Sequence, residues 1–183
     1  MGKTLVISGH PKLDETSVAN RVIIERLKKL PDCEIRDLKK LYPDFKIDVK
    51  AEQQALIEAD TVVLQFPFYW YSVPGIMKEW LDEVFSYGFA YGSTGDKLRG
   101  KRLIISTTIG GSGKSYTHEG HNGYEVEELL NHLKQTANLT GMIFSYVCGY
   151  GMMYIPNVYN IKEEVEKLAR RQAEELVAAI ADN

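Results

Sequence analysis

Short apolar runs alternate with helix-spaced apolar residues along most of this chain. Thr4–Ser8 is a continuous apolar run that stops at Gly9-His10-Pro11, the pattern of a strand buried on both faces. In residues 17–30, Val18, Ile23, Ile24, Leu27 and Leu30 recur at helical spacing. Residues 33–38 alternate and predict a second strand. Residues 41–49 contain Pro43 and two aspartates and predict a loop, and 50–58 a short helix. Residues 61–66 form another apolar strand, followed by an aromatic loop over 67–74. Ile76, Met77, Trp80, Leu81, Val84 and Phe85 then mark an amphipathic helix. After an irregular, glycine-rich stretch over 87–100, Arg102–Thr108 predicts a fourth strand. A Gly/Ser loop, a helix over 124–136, a strand over 141–148 and a long helix over 161–180 complete the pattern.

Strands alternating with helices imply a parallel sheet covered on both faces. The expectation is an α/β, doubly wound, five-stranded parallel sheet of order 2-1-3-4-5, one domain spanning residues 1–183. Ligands of such sheets bind beyond the carboxyl ends of the strands, where the first and third strands part. That rule singles out the loops over 9–16, 67–74 and 109–122.

Composition narrows the field. The formal net charge is −3, with no basic cluster, so nothing suggests a nucleic-acid partner. Cys33 and Cys148 stand far apart and show no metal-ligand or redox-pair spacing, which suits a reducing, cytoplasmic setting. No stretch reaches the roughly 18 apolar residues of a membrane helix, and the first residues lack a signal-peptide pattern.

Two motifs are decoys. Gly113-Lys114-Ser115 looks like the end of a phosphate-binding P-loop, but Thr108 stands where the first glycine belongs, and loop residues follow. His118-Glu119-Gly120-His121 spaces its histidines three apart, whereas a zinc-binding helix needs four, so no metal site is expected.

The remaining chemistry lies in the three loops. Residues 10–20 offer free backbone N–H groups at a helix start, the hydroxyls of Thr16 and Ser17, and His10, which adds a donor and, when protonated, a charge. This is a phosphate site or a plain helix cap, and both readings can hold for different hydroxyls. Five aromatics fall in residues 66–71, which points to a planar ligand or a protein interface.

Read in order, several short motifs resemble the flavodoxin-like NAD(P)H:quinone oxidoreductase family. They are Gly9-His10-Pro11 with residues 17–20, Leu41-Tyr42-Pro43-Asp44-Phe45, the run from Phe66 to Pro74, Phe89-Ala90-Tyr91-Gly92, and Thr107-Thr108-Ile109-Gly110-Gly111. Small bacterial members, among them general-stress quinone reductases and ancillary subunits of glutathione-gated potassium efflux systems, are the most similar. The resemblance implies an enzyme that takes a hydride from NADH or NADPH onto a flavin, FMN in the first place with FAD as the alternative. It then passes two electrons to a quinone in a ping-pong cycle. The alternative it carries is a flavin-binding regulatory subunit of a potassium-efflux or stress-response system. By position, His10, Thr16, Ser17, Val18 and Asn20 match residues that hold the flavin phosphate and ribityl chain. Pro67, Phe68, Tyr69, Trp70 and Tyr71 match one wall of the ring, and Thr107, Thr108, Gly110 and Gly111 the other. Tyr116 and His121 resemble a Tyr/His pair assisting hydride transfer, with His118 the other candidate partner. The family also implies a homodimer, and a membrane transporter as a further partner.

Overall fold

A computed structural model describes residues 2–182. Five strands, β1 (Thr4–Ser8), β2 (Cys33–Asp37), β3 (Thr61–Pro67), β4 (Arg102–Thr108) and β5 (Ile143–Gly149), form one parallel sheet of order β2-β1-β3-β4-β5. β1 and β3 are buried at every position, which is why they read as near-continuous apolar runs rather than alternating ones. The edge strands β2 and β5 are partly exposed.

Helices cover both faces. Val6, Val63 and Ile104 pack against α1 (Ala19–Leu27) and α7 (Lys162–Ala181) through Ile23, Ile24, Leu27, Val165, Ala169 and Leu176. On the other face, Leu5, Ile7, Leu64 and Ile105 meet α2 (Leu38–Leu41), α3 (Val49–Glu58), α4 (Gly75–Val84), α5 (Val126–Leu129) and α6 (Asn131–Thr140).

Helix boundaries depart from the periodicity in two places. The second strand stops at Asp37, because its carboxylate accepts the Lys40 N–H and starts α2 where strand and loop were expected. The helix expected over 124–136 is two helices. The Glu125 N–H is taken by the Glu128 carboxylate, Leu130 leaves helical geometry, and α6 runs on to Thr140. It ends at Gly141, whose φ of 71° is a left-handed stop that glycine adopts without a Cβ penalty.

One buried carboxylate ties the sheet edge to this second layer. Glu52 of α3 is fully buried and accepts from the Tyr42 hydroxyl (2.5 Å), the Trp80 indole N–H (2.8 Å) and the Arg36 guanidinium (2.8 Å). It thereby fastens β2, the loop after α2, and α4 to one point. Removing it takes the acceptor from Tyr42 and Trp80 and leaves Arg36 with Glu34 as its carboxylate partner. Glu52→Ala is expected to lower stability by about 3 kcal/mol, and Tyr42→Phe by about 1 kcal/mol, in urea unfolding.

Candidate functional site

β1 and β3 are neighbours in the sheet, yet β1 leads to α1 on one face and β3 to α4 on the other. The chain therefore parts above their carboxyl ends and leaves a crevice. A cavity of about 310 Å³ lies there, in the size range of small-molecule and cofactor sites. Ten of the expected residues line it: His10, Thr16, Ser17, Val18, Asn20, Pro67, Phe68, Tyr69, Thr108 and Gly110.

One end of the cavity is an uncapped helix start. The N-cap of α1 is Val18, which has no hydrogen-bonding side chain, and neither Thr16 nor Ser17 caps the helix. The first-turn N–H groups are thus left for a ligand, with the positive end of the helix dipole behind them. His10 is buried, and its Nδ1 accepts the Lys12 N–H at 3.0 Å. Burial pushes its pKa down to about 4, so at neutral pH it is uncharged and its ring hydrogen sits on Nε2. His10 therefore contributes a neutral donor; the charge considered from the sequence arises only in acid.

The floor is a buried amide relay. The Gln65 amide nitrogen donates to Asn20 Oδ1 (2.8 Å), and the Asn20 amide nitrogen donates to Thr108 Oγ1 (2.8 Å). Thr107 turns the other way, into the sheet, where its hydroxyl donates to the Phe66 carbonyl at 3.1 Å.

The aromatic loop closes tightly. Ser72 N–H donates to the Tyr69 carbonyl at 3.0 Å, with Trp70 and Tyr71 between them at φ of 50° and 63°. Left-handed backbone costs a bulky residue about 1–2 kcal/mol. Strain of this kind collects at functional sites. The turn throws Trp70 outward, 92% exposed, and it does not line the cavity.

Tyr71, Gly111, Tyr116 and His121 also lie outside the cavity wall, and the first three form a neighbouring cluster. Tyr116 packs against Phe68 (6.3 Å between ring centres), Tyr71 (6.4 Å) and Tyr150 (5.9 Å). Burial, with Tyr71 beside it, raises its pKa, so the hydroxyl keeps its proton. Gly111 lets that ring approach: a Cβ there would stand 3.2 Å from it. His121 is exposed on the same loop. His118 faces Glu128 (3.7 Å), and the Tyr71 hydroxyl donates to Asn122 at 3.1 Å. Neither histidine hydrogen-bonds Tyr116 among the described residues.

Ala19, Met152, Met153 and Tyr154 complete the cavity, and the last three were not singled out from the sequence. They follow β5, whose end is pinned beside the β4 loop by Gly151 N–H to Gly111 C=O (2.9 Å) and Met152 N–H to Ile109 C=O (2.8 Å). Applying the strand-end rule to β5 as well would have found them.

With this fold and crevice, the chain belongs to the family of proteins with the flavodoxin-like fold, whose model matches residues 2–176. It is 41% identical over 177 residues to YrkL of Bacillus subtilis (strain 168), named as an uncharacterized NAD(P)H oxidoreductase, across 96% of this chain and 98% of the relative. It is 43% identical over 138 residues to KefF of Enterobacter sp. (strain 638), an ancillary protein of a glutathione-regulated potassium-efflux system. That match covers 75% of this chain and 77% of KefF. The crystal structure of general stress protein 14 from Treponema denticola, in complex with FMN, is similar with a TM-score of 0.85 at 32% identity, covering 96% of this chain and 98% of that one.

The depressed His10 pKa makes stability depend on pH. Between 6.5, its ordinary value, and about 4, the unfolded chain binds a proton there that the folded chain refuses. Stability attributable to His10 is complete above 6.5 and falls as pH drops toward 4, by up to about 1.4 kcal/mol per unit. His10→Gln, which can still accept from Lys12, is expected to flatten this part of the pH profile in urea unfolding of the ligand-free protein.

Proposed function

We propose that this chain is a flavin-dependent NAD(P)H oxidoreductase that binds FMN in the crevice and reduces quinones or related electrophilic acceptors two electrons at a time. The observation carrying this reading is a single cavity that joins an uncapped helix start to an aromatic wall. Those ends suit a ligand with a phosphate at one side and a flat ring at the other. A relative named as an NAD(P)H oxidoreductase and an FMN-bound neighbour support it.

The residues fit the group. First-turn N–H groups of α1, the His10 ring and the hydroxyls of Thr16 and Ser17 would hold the phosphate, with Val18 and Asn20 along the chain behind it. Pro67, Phe68 and Tyr69 would lie along one side of the ring, and Thr108 and Gly110 would build the other. When bound, the flavin supplies hydride acceptance and donation. Tyr116, protonated and set among aromatic rings, would offer a hydrogen bond to oxygen on which negative charge develops, with His121 as its proton partner. Trp70 and Tyr71 stand beside the mouth, where a nicotinamide and then a quinone would use one slot in turn. That arrangement is ping-pong.

We read the exposed Trp70, Tyr71, Tyr87 and Tyr91 as a face covered by a second copy in a homodimer. The similarity to KefF supports a second reading, in which the flavin-loaded chain serves a potassium-efflux system as a regulatory subunit in the cytoplasm.

The test is purification with FMN or FAD, followed by NADH and NADPH oxidation with and without benzoquinone. Quinone-dependent turnover with parallel-line kinetics is expected. Flavin binding without turnover would favour the regulatory reading, and no flavin binding would refute both. Tyr116→Phe is expected to cut kcat/KM about 100-fold with little change in FMN affinity. Comparing His121→Gln with His118→Gln identifies the partner, since only the true one shifts the pH profile of kcat.

A further inference from the structure

Gln65 breaks the apolar run of β3. It is fully buried on the face shared with Val63 and Ile104, where a leucine would pack without desolvating an amide. Its amide nitrogen is spent on Asn20 Oδ1 at 2.8 Å, while its Oε1 has no partner. Ser8, its register partner on β1, likewise leaves its hydroxyl unpartnered. An amide kept in the core with one end unsatisfied calls for a reason outside stability.

The reason lies in the direction of the relay. Gln65 occupies the Asn20 carbonyl oxygen, so the Asn20 amide nitrogen must face Thr108, to whose Oγ1 it donates at 2.8 Å. Thr108 then accepts from behind, and its own hydrogen is free for the cavity that Asn20 and Thr108 both line. Reversing the relay would consume that hydrogen on Asn20 and turn the Gln65 NH2 into surroundings that leave Oε1 unpaired. A buried N–H without an acceptor is rarer than an under-satisfied carbonyl. The polarity seen is therefore the favoured one.

We propose that Gln65 is a positioning residue that, through Asn20, fixes the Thr108 hydroxyl as a hydrogen-bond donor into the cavity. The inference rests on the flavin reading, because the acceptor it serves is a flavin oxygen or nitrogen. It assigns a role to a side chain that never touches the ligand.

A double-mutant cycle tests it. FMN affinity is measured by quenching of flavin fluorescence for wild type, Gln65→Met, Thr108→Val and the double variant, with thermal unfolding as the check on folding. Each single change is expected to weaken FMN about tenfold, and the double variant to be no weaker than Thr108→Val alone. A double variant near one hundredfold weaker, or a Gln65→Met protein with wild-type affinity, would overturn the proposal while leaving the flavin reading intact. No FMN binding by wild type would overturn both. Should Gln65→Met fail to fold, Gln65→Leu takes its place in the same cycle.

Discussion

The constraint on which the rest of this structure depends is the parallel direction of its strands. Because all five run the same way, every strand-to-helix loop emerges at one edge of the sheet. Neighbours β1 and β3 then send their helices to opposite faces, so no helix start roofs the gap between them. Everything chemically useful follows from that gap. The first turn of α1 opens on one side, the aromatic turn on another, and the β4 and β5 loops on the third. A site assembled this way draws on segments more than a hundred residues apart, while each is held by a strand that cannot slide. Slipping a buried strand by one residue would exchange its two faces, and both are packed.

The central strands, the order of the sheet and most of the cavity lining were legible in the sequence. They rest on long apolar runs and on a topological rule that needs no detail. What escaped was governed by single side chains or distant partners. Asp37 ends a strand by capping a helix, a choice that alternation cannot reveal. Glu128 and Leu130 split one apparent helix in two. Met152, Met153 and Tyr154 reach the cavity only because hydrogen bonds to Ile109 and Gly111 seat their loop there, and a local window contains no sign of that pairing. The outward turn of Trp70 was equally hidden. Its place in an aromatic run gives no sign of the left-handed pair, without any glycine, that exposes it.

The two layers around the sheet divide the labour. The layer built on Glu52, Tyr42 and Trp80 anchors the edge strand and α4 with a buried charge whose hydrogen bonds are filled from three elements. The opposite layer, beneath α1 and α7, carries Gln65, Asn20, Ser106, Thr108 and Gln172, and there buried polar atoms are left unpaired. Satisfied polar groups mark the half that holds the fold. Unsatisfied ones mark the half that supports the crevice, where local rules are expected to yield to the needs of a site.

The anion end of the crevice is noteworthy for lacking charge. No lysine or arginine lines the cavity among the described residues. His10, with its pKa near 4, is neutral. A fixed cation would attract any anion from a distance, and salt would screen it. Oriented N–H groups and hydroxyls work differently, because their strength depends on an acceptor placed within hydrogen-bond range and shielded from water. Such a cradle discriminates by shape before charge. An approaching dianion would also raise the His10 pKa, since an opposite charge favours protonation against the cost of burial. Kept neutral by burial, the histidine spares the empty site an unpaired buried cation.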